Sequence, residues 1–298
     1  MAEPVYTLAE VRTAKFARVP LGVLGHPIAH SLSPRMHNAA LAALAIDQPS
    51  FAGWRYEKFE VAPAALPEAL ALFADRGFLG LNLTVPHKVL AVAEIAEVDP
   101  AAQAAGAVNT LLRTAAGWKG FNTDGYGLAM GVRENLGYDF TGRPVILLGA
   151  GGAARGAAVE CLQQGCASLA IGNRTAATRE ALLADLRALS GSIPLRGFDP
   201  AEPPLDLPVG ALVINATSAG LKLGEPPPID LTRLMGPIGL YDMIYNPPET
   251  ALLLAAQRLG LPSANGRSML VHQGARALES WSGVAAAVTA PVMAAALP

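Results

Sequence analysis

The pattern of apolar and polar residues predicts alternating strands and helices over the first part of the chain. The apolar run Val19–Gly25 predicts a buried strand, and a polar, proline-containing loop follows it. Ser33 and Pro34 form an N-cap and first-turn signal, so a helix is expected from there to Ile46. Residues 54–61 alternate with a period of two, which predicts a strand with one solvent-exposed side.

The same rhythm continues to the middle of the chain. Residues 66–76 predict a helix that Gly77 closes, and residues 78–85 predict a buried strand. Two short strands around a turn are expected at 107–112 and 117–121, and a helix follows over residues 124–136.

A βαβ unit begins near residue 144. Strand 145–148, helix 153–164 and strand 168–171 follow one another without long loops. Further elements are expected as helices 178–189, 250–259 and 269–281 and strands 211–215 and 239–245. Strands that alternate with helices predict an α/β fold with a parallel, doubly wound sheet.

The pattern of predicted strands and helices differs between the two parts of the chain, which predicts two domains with a boundary near residue 123. The expected domains are residues 1–123, joined by C-terminal helices in 268–298, and residues 124–267. The last helix is expected to pack back on the first domain.

Composition narrows the class of protein. The chain has 298 residues, 52% hydrophobic and 15% charged, with a net charge of −2. No uninterrupted apolar run approaches the ~18–20 residues that a bilayer requires, and Pro291 interrupts the Ala/Val-rich C-terminal segment. The charge argues against nucleic acid as a partner. A cytoplasmic enzyme is expected, without a membrane partner.

The cysteines and histidines show no metal-binding pattern. Cys161 and Cys166 are expected to be buried thiols on one helix. None of the five histidines shares a helix face with another at ligand spacing, so no metal is expected.

Polar side chains cluster where predicted strands end. Asn82, Thr84 and Lys88 follow one strand and Asp124 follows another. Open α/β sheets bind ligands outside the carboxyl ends of their strands, so these residues are candidates for a reaction site. Ser31 and Ser33 flank one residue, so in an extended loop both hydroxyls would point the same way and could bind a carboxylate.

Lys88 and Asp124 are the acid/base candidates. A nearby Asp124 would keep the lysine charged, which suits a proton donor in a ketone reduction. Asp124 could instead take the proton itself, and the residues alone leave the roles open. The alternatives without chemistry are a surface lysine and a helix N-cap.

A glycine loop follows strand 145–148. Residues 149–154 fit G-x-G-x-x-A, the dinucleotide fingerprint, between a strand and a helix. Gly149 permits the tight turn and Gly151 lets the backbone approach a pyrophosphate. The alternative is a tight turn that binds no ligand.

The residues that follow the second strand of this βαβ unit distinguish NAD from NADP. An NAD site usually offers a carboxylate there, whereas this chain has Asn173, Arg174 and Thr175. A guanidinium can hold a 2′-phosphate, so NADP(H) is expected, unless Arg174 is only a solvated surface residue.

Nine short motifs, in order, resemble shikimate dehydrogenase over nearly the whole chain. They lie at residues 27–34, 82–88, 106–110, 122–125, 149–154, 173–175, 214–218, 241–243 and 269–273. The resemblance implies an α/β substrate domain and a Rossmann-like NADP domain. It also implies reversible NADPH-dependent reduction of 3-dehydroshikimate to shikimate in aromatic amino-acid biosynthesis.

The resemblance also implies site residues. Lys88 and Asp124 match the catalytic pair. The substrate positions match Ser31, Ser33, Thr84, Asn109, Tyr245 and Gln273, with Asn82 in the same motif as Thr84. The cofactor positions match Gly149, Ala150, Gly151, Gly152, Ala153, Asn173, Arg174, Thr175, Met243 and Gly266.

One departure and two rival functions accompany this resemblance. Many members that use NADP have an arginine three residues after the threonine, where this chain has Thr178 and then Arg179. Discrimination between NADP and NAD is therefore expected to be weaker than in those members.

The alternative functions are a quinate/shikimate dehydrogenase with relaxed cofactor use and a non-catalytic NADP(H)-binding regulator. A homodimer is the working hypothesis for the assembly.

Overall fold

A computed structural model of the protein describes residues 3–222 and 224–298. The chain divides into two compact units. Unit 1 contains the chain up to Thr123 together with Gly274–Pro298, and unit 2 contains Asp124–Gln273.

The elements up to residue 123 form a seven-stranded sheet and short helices. The strands are β1 (Val5–Thr7), β2 (Val19–Gly25), β3 (Trp54–Glu60), β4 (Gly80–Leu83), β5 (Glu97–Val98), β6 (Thr110–Thr114) and β7 (Gly117–Phe121). The helices are α1 (Leu8–Thr13), α2 (Ser33–Asp47), α3 (Leu66–Asp75), α4 (His87–Leu90) and α5 (Pro100–Ala105).

The rest of the chain forms a second sheet and longer helices. The strands are β8 (Pro144–Leu148), β9 (Ser168–Gly172), β10 (Leu195–Phe198), β11 (Leu212–Asn215), β12 (Gly239–Asp242) and β13 (Ser263–Asn265). The helices are α6 (Asp124–Leu136), α7 (Gly152–Gln163), α8 (Ala176–Ser190), α9 (Ala251–Arg258), α10 (Arg267–Ser282) and α11 (Ala286–Ala296).

The sheet of unit 1 is mixed. Its order is β1-β3-β2-β4-β6-β7-β5, and β6 runs antiparallel to both of its neighbours. The other pairs are parallel. The hairpin explains the antiparallel pairing of β6 with β7, because a tight turn can join only antiparallel strands.

Register places four side chains of this sheet in one row. Lys58 on β3 pairs with Val23 on β2, which pairs with Asn82 on β4, which pairs with Thr110 on β6. Residues in register share a face of the sheet. This face therefore carries polar groups from three strands.

The expectation that β3 has a solvent-exposed side is wrong. Tyr56 is buried under His37 of α2, and Lys58 is buried where the loop after β2 is bonded to this strand. The Lys58 ammonium donates to the Ala29 carbonyl at 2.7 Å, and the Ile28 N–H donates to the Glu60 carboxylate at 2.9 Å. The polar side of the strand therefore faces a covered interior.

The opposite face of the sheet packs on an aromatic core. Phe73 and Phe78 meet edge to face with centroids 4.7 Å apart, and Phe59 lies 4.7 Å from Phe73 in the same geometry. Such pairs add to the free energy of burying the rings. Trp281, beyond unit 2 in the chain, donates from Nε1 to the Leu111 carbonyl at 2.9 Å. The C-terminal segment thus packs on the first sheet, as expected.

Unit 2 has a fully parallel sheet of order β10-β9-β8-β11-β12-β13. Counted along this unit, the order is third, second, first, fourth, fifth, sixth. This is the order of doubly wound dinucleotide-binding sheets, in which the direction of winding reverses between the first and fourth strands. The α/β, doubly wound prediction is confirmed.

Several short elements were not predicted. The strands β1, β5, β10 and β13 and the helices α1 and α5 have two to six residues each. Segments this short show no hydrophobic period. The helix α11 contains Pro291 without ending there.

The two cysteines are buried free thiols, but only Cys161 lies in a helix. Cys166 follows the end of α7, so the expectation of a shared helix is wrong. Burial raises the pKa of Cys161 well above its ordinary value and that of Cys166 to about 11. Both thiols are therefore protonated at neutral pH.

Within residues 3–222 and 224–298, no helix combines the length and apolar character needed to span a bilayer. The same residues contain no cluster of three or more His, Cys, Asp or Glu side chains arranged to hold a metal ion.

His37 on α2 is fully buried in unit 1. Its ring stacks on Tyr56 at 4.1 Å with an interplanar angle of 2°. Neither ring nitrogen has a hydrogen-bond partner among the described residues. Burial lowers the pKa of His37 to about 3, so the ring is neutral in the folded protein.

We expect His37→Phe to reduce the acid sensitivity of folding. The unfolded imidazole titrates near 6.5, so its contribution to stability is complete above that pH and is lost as pH falls toward about 3. The loss is about 1.4 kcal/mol per pH unit within this window. Urea unfolding between pH 7 and pH 4.5 measures it, and equal pH slopes for both proteins would contradict the assignment.

Candidate active site

The candidate substrate residues of unit 1 surround the polar row of its sheet. Ser31 and Ser33 follow β2, Asn82 lies on β4, and Asn109 precedes β6. Thr84 and Lys88 lie beyond the end of β4, and Lys88 belongs to the single-turn helix α4. The parallel strands β2 and β4 end at one edge of the sheet, and the antiparallel strand β6 begins there, so these segments meet at that edge.

A buried hydrogen-bond network holds two of these residues. The Tyr56 hydroxyl donates to Asn82 Oδ1 at 2.7 Å. Asn82 Nδ2 donates to the Asn109 carbonyl and to Thr110 Oγ1, both at 3.0 Å. These two bonds use both amide hydrogens of Asn82, so a substrate could bind only through its oxygen. Asn82 thus holds Tyr56, Asn109 and Thr110 in one network.

Asn109 is held in turn by Thr123. The Thr123 N–H donates to Asn109 Oδ1 at 2.8 Å, and Asn109 Nδ2 donates to Thr123 Oγ1 at 3.0 Å. Both residues are buried. The amide plane of Asn109 is therefore fixed before any ligand arrives.

The serine pair differs from the sequence expectation. Leu32 has helical φ and ψ of −89° and −4°, so the loop is not extended there, and Ser33 is the first residue of α2 and not its cap. Ser31 Oγ accepts from the Ser33 N–H at 3.3 Å. The Ser33 side chain lies beside the Tyr56 hydroxyl and acts against the rise in its pKa, which places Ser33 next to the buried network.

Tyr56 was not predicted as a site residue. It is fully buried, donates to Asn82 Oδ1 and lies beside the Ser33 side chain. Burial raises its pKa well above the ordinary value, so the hydroxyl keeps its proton. The only sequence signal was its place in the alternation of residues 54–61, which indicated an exposed side.

Lys88 and Asp124 belong to different units. Lys88 is half-buried, and its carbonyl accepts from the Val108 N–H at 2.8 Å. Asp124 is buried and begins helix α6 of unit 2. An aspartate at this position is stabilised by the helix dipole. Tyr245 and Gln273 also lie in unit 2, each half-buried, and Gln273 Nε2 donates to the Leu270 carbonyl at 2.8 Å.

The glycine loop lies at the winding reversal of unit 2. Gly149 follows β8 with φ of +112°, a conformation that side chains disfavour. A Cβ there would lie 2.9 Å from the Ala216 carbonyl oxygen at the end of β11. Gly151 has φ of −82°, and a Cβ on it would meet no atom within 4 Å. Gly149 is thus required by the turn, whereas Gly151 leaves open space above the start of α7.

Residues after β9 form the second cofactor segment. Asn173 Nδ2 donates to the Thr175 carbonyl at 3.0 Å, and Arg174 and Thr175 are exposed. Arg179 Nη1 donates to the Asn173 carbonyl at 3.1 Å. The displaced arginine therefore holds the backbone of the segment that presents Arg174.

Met243 follows β12 and Gly266 follows the neighbouring strand β13, so the two residues lie together. A Cβ on Gly266 would lie 2.1 Å from the Met243 carbonyl oxygen, so only glycine fits. The buried Asp242 accepts from Asn215 Nδ2 at 2.9 Å and from Thr250 Oγ1 at 2.6 Å. Its bonds fix the strand end that precedes Met243, although burial raises its pKa.

Together these features define an α/β protein that joins a dinucleotide-binding unit to a unit with a polar, preformed small-molecule site. Residues 23–111 match the family model of the shikimate dehydrogenase substrate binding domain. The NADP-dependent shikimate dehydrogenase of Geobacter metallireducens is 40% identical over 271 residues, which are 89% of this chain and 91% of that protein. The chain belongs to the shikimate dehydrogenase family.

Solved structures agree with this membership. Shikimate 5-dehydrogenase of Thermus thermophilus, in complex with NADP(H) and shikimate, is 34% identical with a TM-score of 0.78. The match covers 94% of this chain and all (100%) of that chain. The 5-ketofructose reductase of Gluconobacter sp. strain CHM43 is 28% identical with a TM-score of 0.78, and the match covers 95% and 100% of the two chains. The fold thus also occurs in a reductase named for a sugar.

We expect Gly149→Ala and Gly151→Ala to separate folding from cofactor binding. Gly149→Ala strains the turn and should lower the unfolding temperature of the protein. Gly151→Ala should leave that temperature unchanged and weaken NADP binding, because the methyl group would occupy the space beside the pyrophosphate. Thermal unfolding and NADP titration measure the two effects. Unchanged NADP affinity in Gly151→Ala would remove Gly151 from the cofactor site.

Proposed function

We propose that the protein catalyses the reversible, NADPH-dependent reduction of 3-dehydroshikimate to shikimate. The observation that carries the proposal is the preformed polar network of unit 1, in a chain of this family that also has a dinucleotide turn. Shikimate bears a carboxylate and three hydroxyls, which hydroxyl, amide and ammonium side chains can bind. A site built to bond hydroxyls strongly rejects analogues that lack them.

NADP(H) fits the residues of unit 2. Gly149, Ala150, Gly151, Gly152 and Ala153 would hold the pyrophosphate, because their turn leaves open space at Gly151. Arg174 and Thr175 would hold the 2′-phosphate, with Asn173 and Arg179 fixing their backbone. Met243 and Gly266 would border the remainder of the cofactor. When bound, NADPH supplies the hydride.

The candidate substrate residues contact different parts of the substrate. Ser31 and Ser33 bind the carboxylate, and Thr84, Asn109, Tyr245 and Gln273 bind the ring and its hydroxyls, with Asn82 holding Asn109. Lys88 and Asp124 serve as the acid/base pair that protonates the alkoxide oxygen. A charged lysine suits the donor role in the reduction direction. Cytoplasmic location and assembly as a homodimer stay predictions.

Initial rates of NADP reduction test the function. We expect fast turnover of shikimate with NADP and slow turnover with NAD or with quinate. Arg174→Ala should raise the NADP KM and leave NAD use nearly unchanged, because only NADP carries the phosphate that the guanidinium binds. Comparable rates with quinate or NAD would indicate a quinate/shikimate dehydrogenase with relaxed cofactor use. Cofactor binding without any turnover would indicate a non-catalytic NADP(H)-binding regulator.

Lys88→Ala tests the acid/base assignment. We expect kcat to fall by at least ~10²-fold with a modest change in the shikimate KM, because the transition state loses its proton donor. Steady-state kinetics in the same assay measures the effect. An unchanged kcat would exclude Lys88 from the chemistry.

A further inference from the structure

Lys58 is a buried cation that the proposed mechanism does not use. The residue is 6% exposed, and its ammonium donates to the Ala29 carbonyl at 2.7 Å. Among the residues that the structure describes, no carboxylate lies within the 4.0 Å of an ion pair with it. A carbonyl dipole offsets only part of the desolvation free energy of an ammonium, so this site favours an anion nearby.

The carboxylate that follows Lys58 on the same side of β3 has other partners. Glu60 accepts from the Ile28 N–H at 2.9 Å with one oxygen and lies 2.6 Å from His26 Nδ1 with the other. Both oxygens are therefore engaged with the loop after β2. The negative charge of Glu60 therefore interacts with that loop and does not pair directly with Lys58.

Lys58 lies beside the loop after β2, which carries Ser31. Ala29, its hydrogen-bond partner, lies within the turn that the Ser31 N–H closes on the Ile28 carbonyl at 3.0 Å. Lys58 also shares a row with Asn82, two strand spacings or ~10 Å away across the sheet. The ammonium thus lies under the turn that presents Ser31, on the face that carries the substrate network.

We infer that Lys58 determines specificity for an anionic substrate. Its ammonium supplies the positive charge for a carboxylate that Ser31 and Ser33 bind through neutral hydroxyls. This inference rests on the proposed function, since it assigns the serine pair to the shikimate carboxylate. The positive charge of Lys58 makes the site favour a ring acid over an uncharged polyol of similar size.

Three variants separate the charge of Lys58 from its structural bond. Lys58→Gln removes the charge and keeps an N–H donor for the Ala29 carbonyl. Lys58→Met removes both, and Lys58→Arg keeps both. Lys119→Gln is the matched control, because Lys119 is a half-exposed lysine of the same sheet that pairs with Glu97 at 3.3 Å.

The test compares shikimate with its methyl ester, which has the same ring and hydroxyls but no charge. For Lys58→Gln we expect the shikimate KM to rise at least ~10-fold. The kcat for shikimate and the KM for the ester should stay within ~2-fold of wild type. Lys58→Arg should retain most of the preference for the acid, and Lys119→Gln should retain all of it.

Other results overturn the inference. Equal KM increases for acid and ester in Lys58→Gln would show that Lys58 only supports the turn, and no change for either would show no role. Lys58→Gln and Lys58→Arg decide the question even if Lys58→Met does not fold, which thermal unfolding reveals. Failure of the wild-type protein to oxidise shikimate would instead reject the proposed function.

Discussion

Strand register is the constraint on which the candidate substrate site depends. Lys58, Asn82 and Thr110 come from three strands and lie far apart in the chain, yet in-register pairing puts them on one face. A shift of one residue in any strand would turn its polar group into the aromatic core on the other side. Packing of the core formed by Phe59, Phe73 and Phe78 therefore determines which side chains lie on the polar face.

Covering that face makes the site rigid. The loop after β2 is bonded to β3 through Lys58 and Glu60, and the Tyr56 hydroxyl is bonded to Asn82. Buried polar groups are costly unless each has a partner, so these bonds stabilise one arrangement strongly over its alternatives. The candidate binding groups are thus oriented by the protein's own hydrogen bonds, and such orientation lowers the entropic cost of binding a substrate.

Local sequence patterns predicted the parts of the protein that local geometry determines. The turn at Gly149 was predictable because a strand, a glycine loop and a helix adjoin in the chain, and the parallel sheet of unit 2 followed from the alternation of strands and helices. The polar side of β3 was not predictable, since its burial depends on a loop that begins about 30 residues earlier. Tyr56 was missed for a similar reason, since it is buried under His37 of helix α2, which comes from an earlier part of the chain. The short edge strand β10 has too few residues to show a period.

The return of the C-terminal segment to unit 1 affects the order in which the protein is assembled. The sequence of unit 2 is continuous, whereas that of unit 1 is interrupted by it. The Trp281 ring lies where a side chain on Gly80 would otherwise be, and its Nε1 bonds to the Leu111 carbonyl. During synthesis on a ribosome, β4 and β6 emerge long before this tryptophan. The sheet that carries the substrate residues is therefore the last part of the protein to gain all its packing contacts, after the whole nucleotide-binding unit has been made.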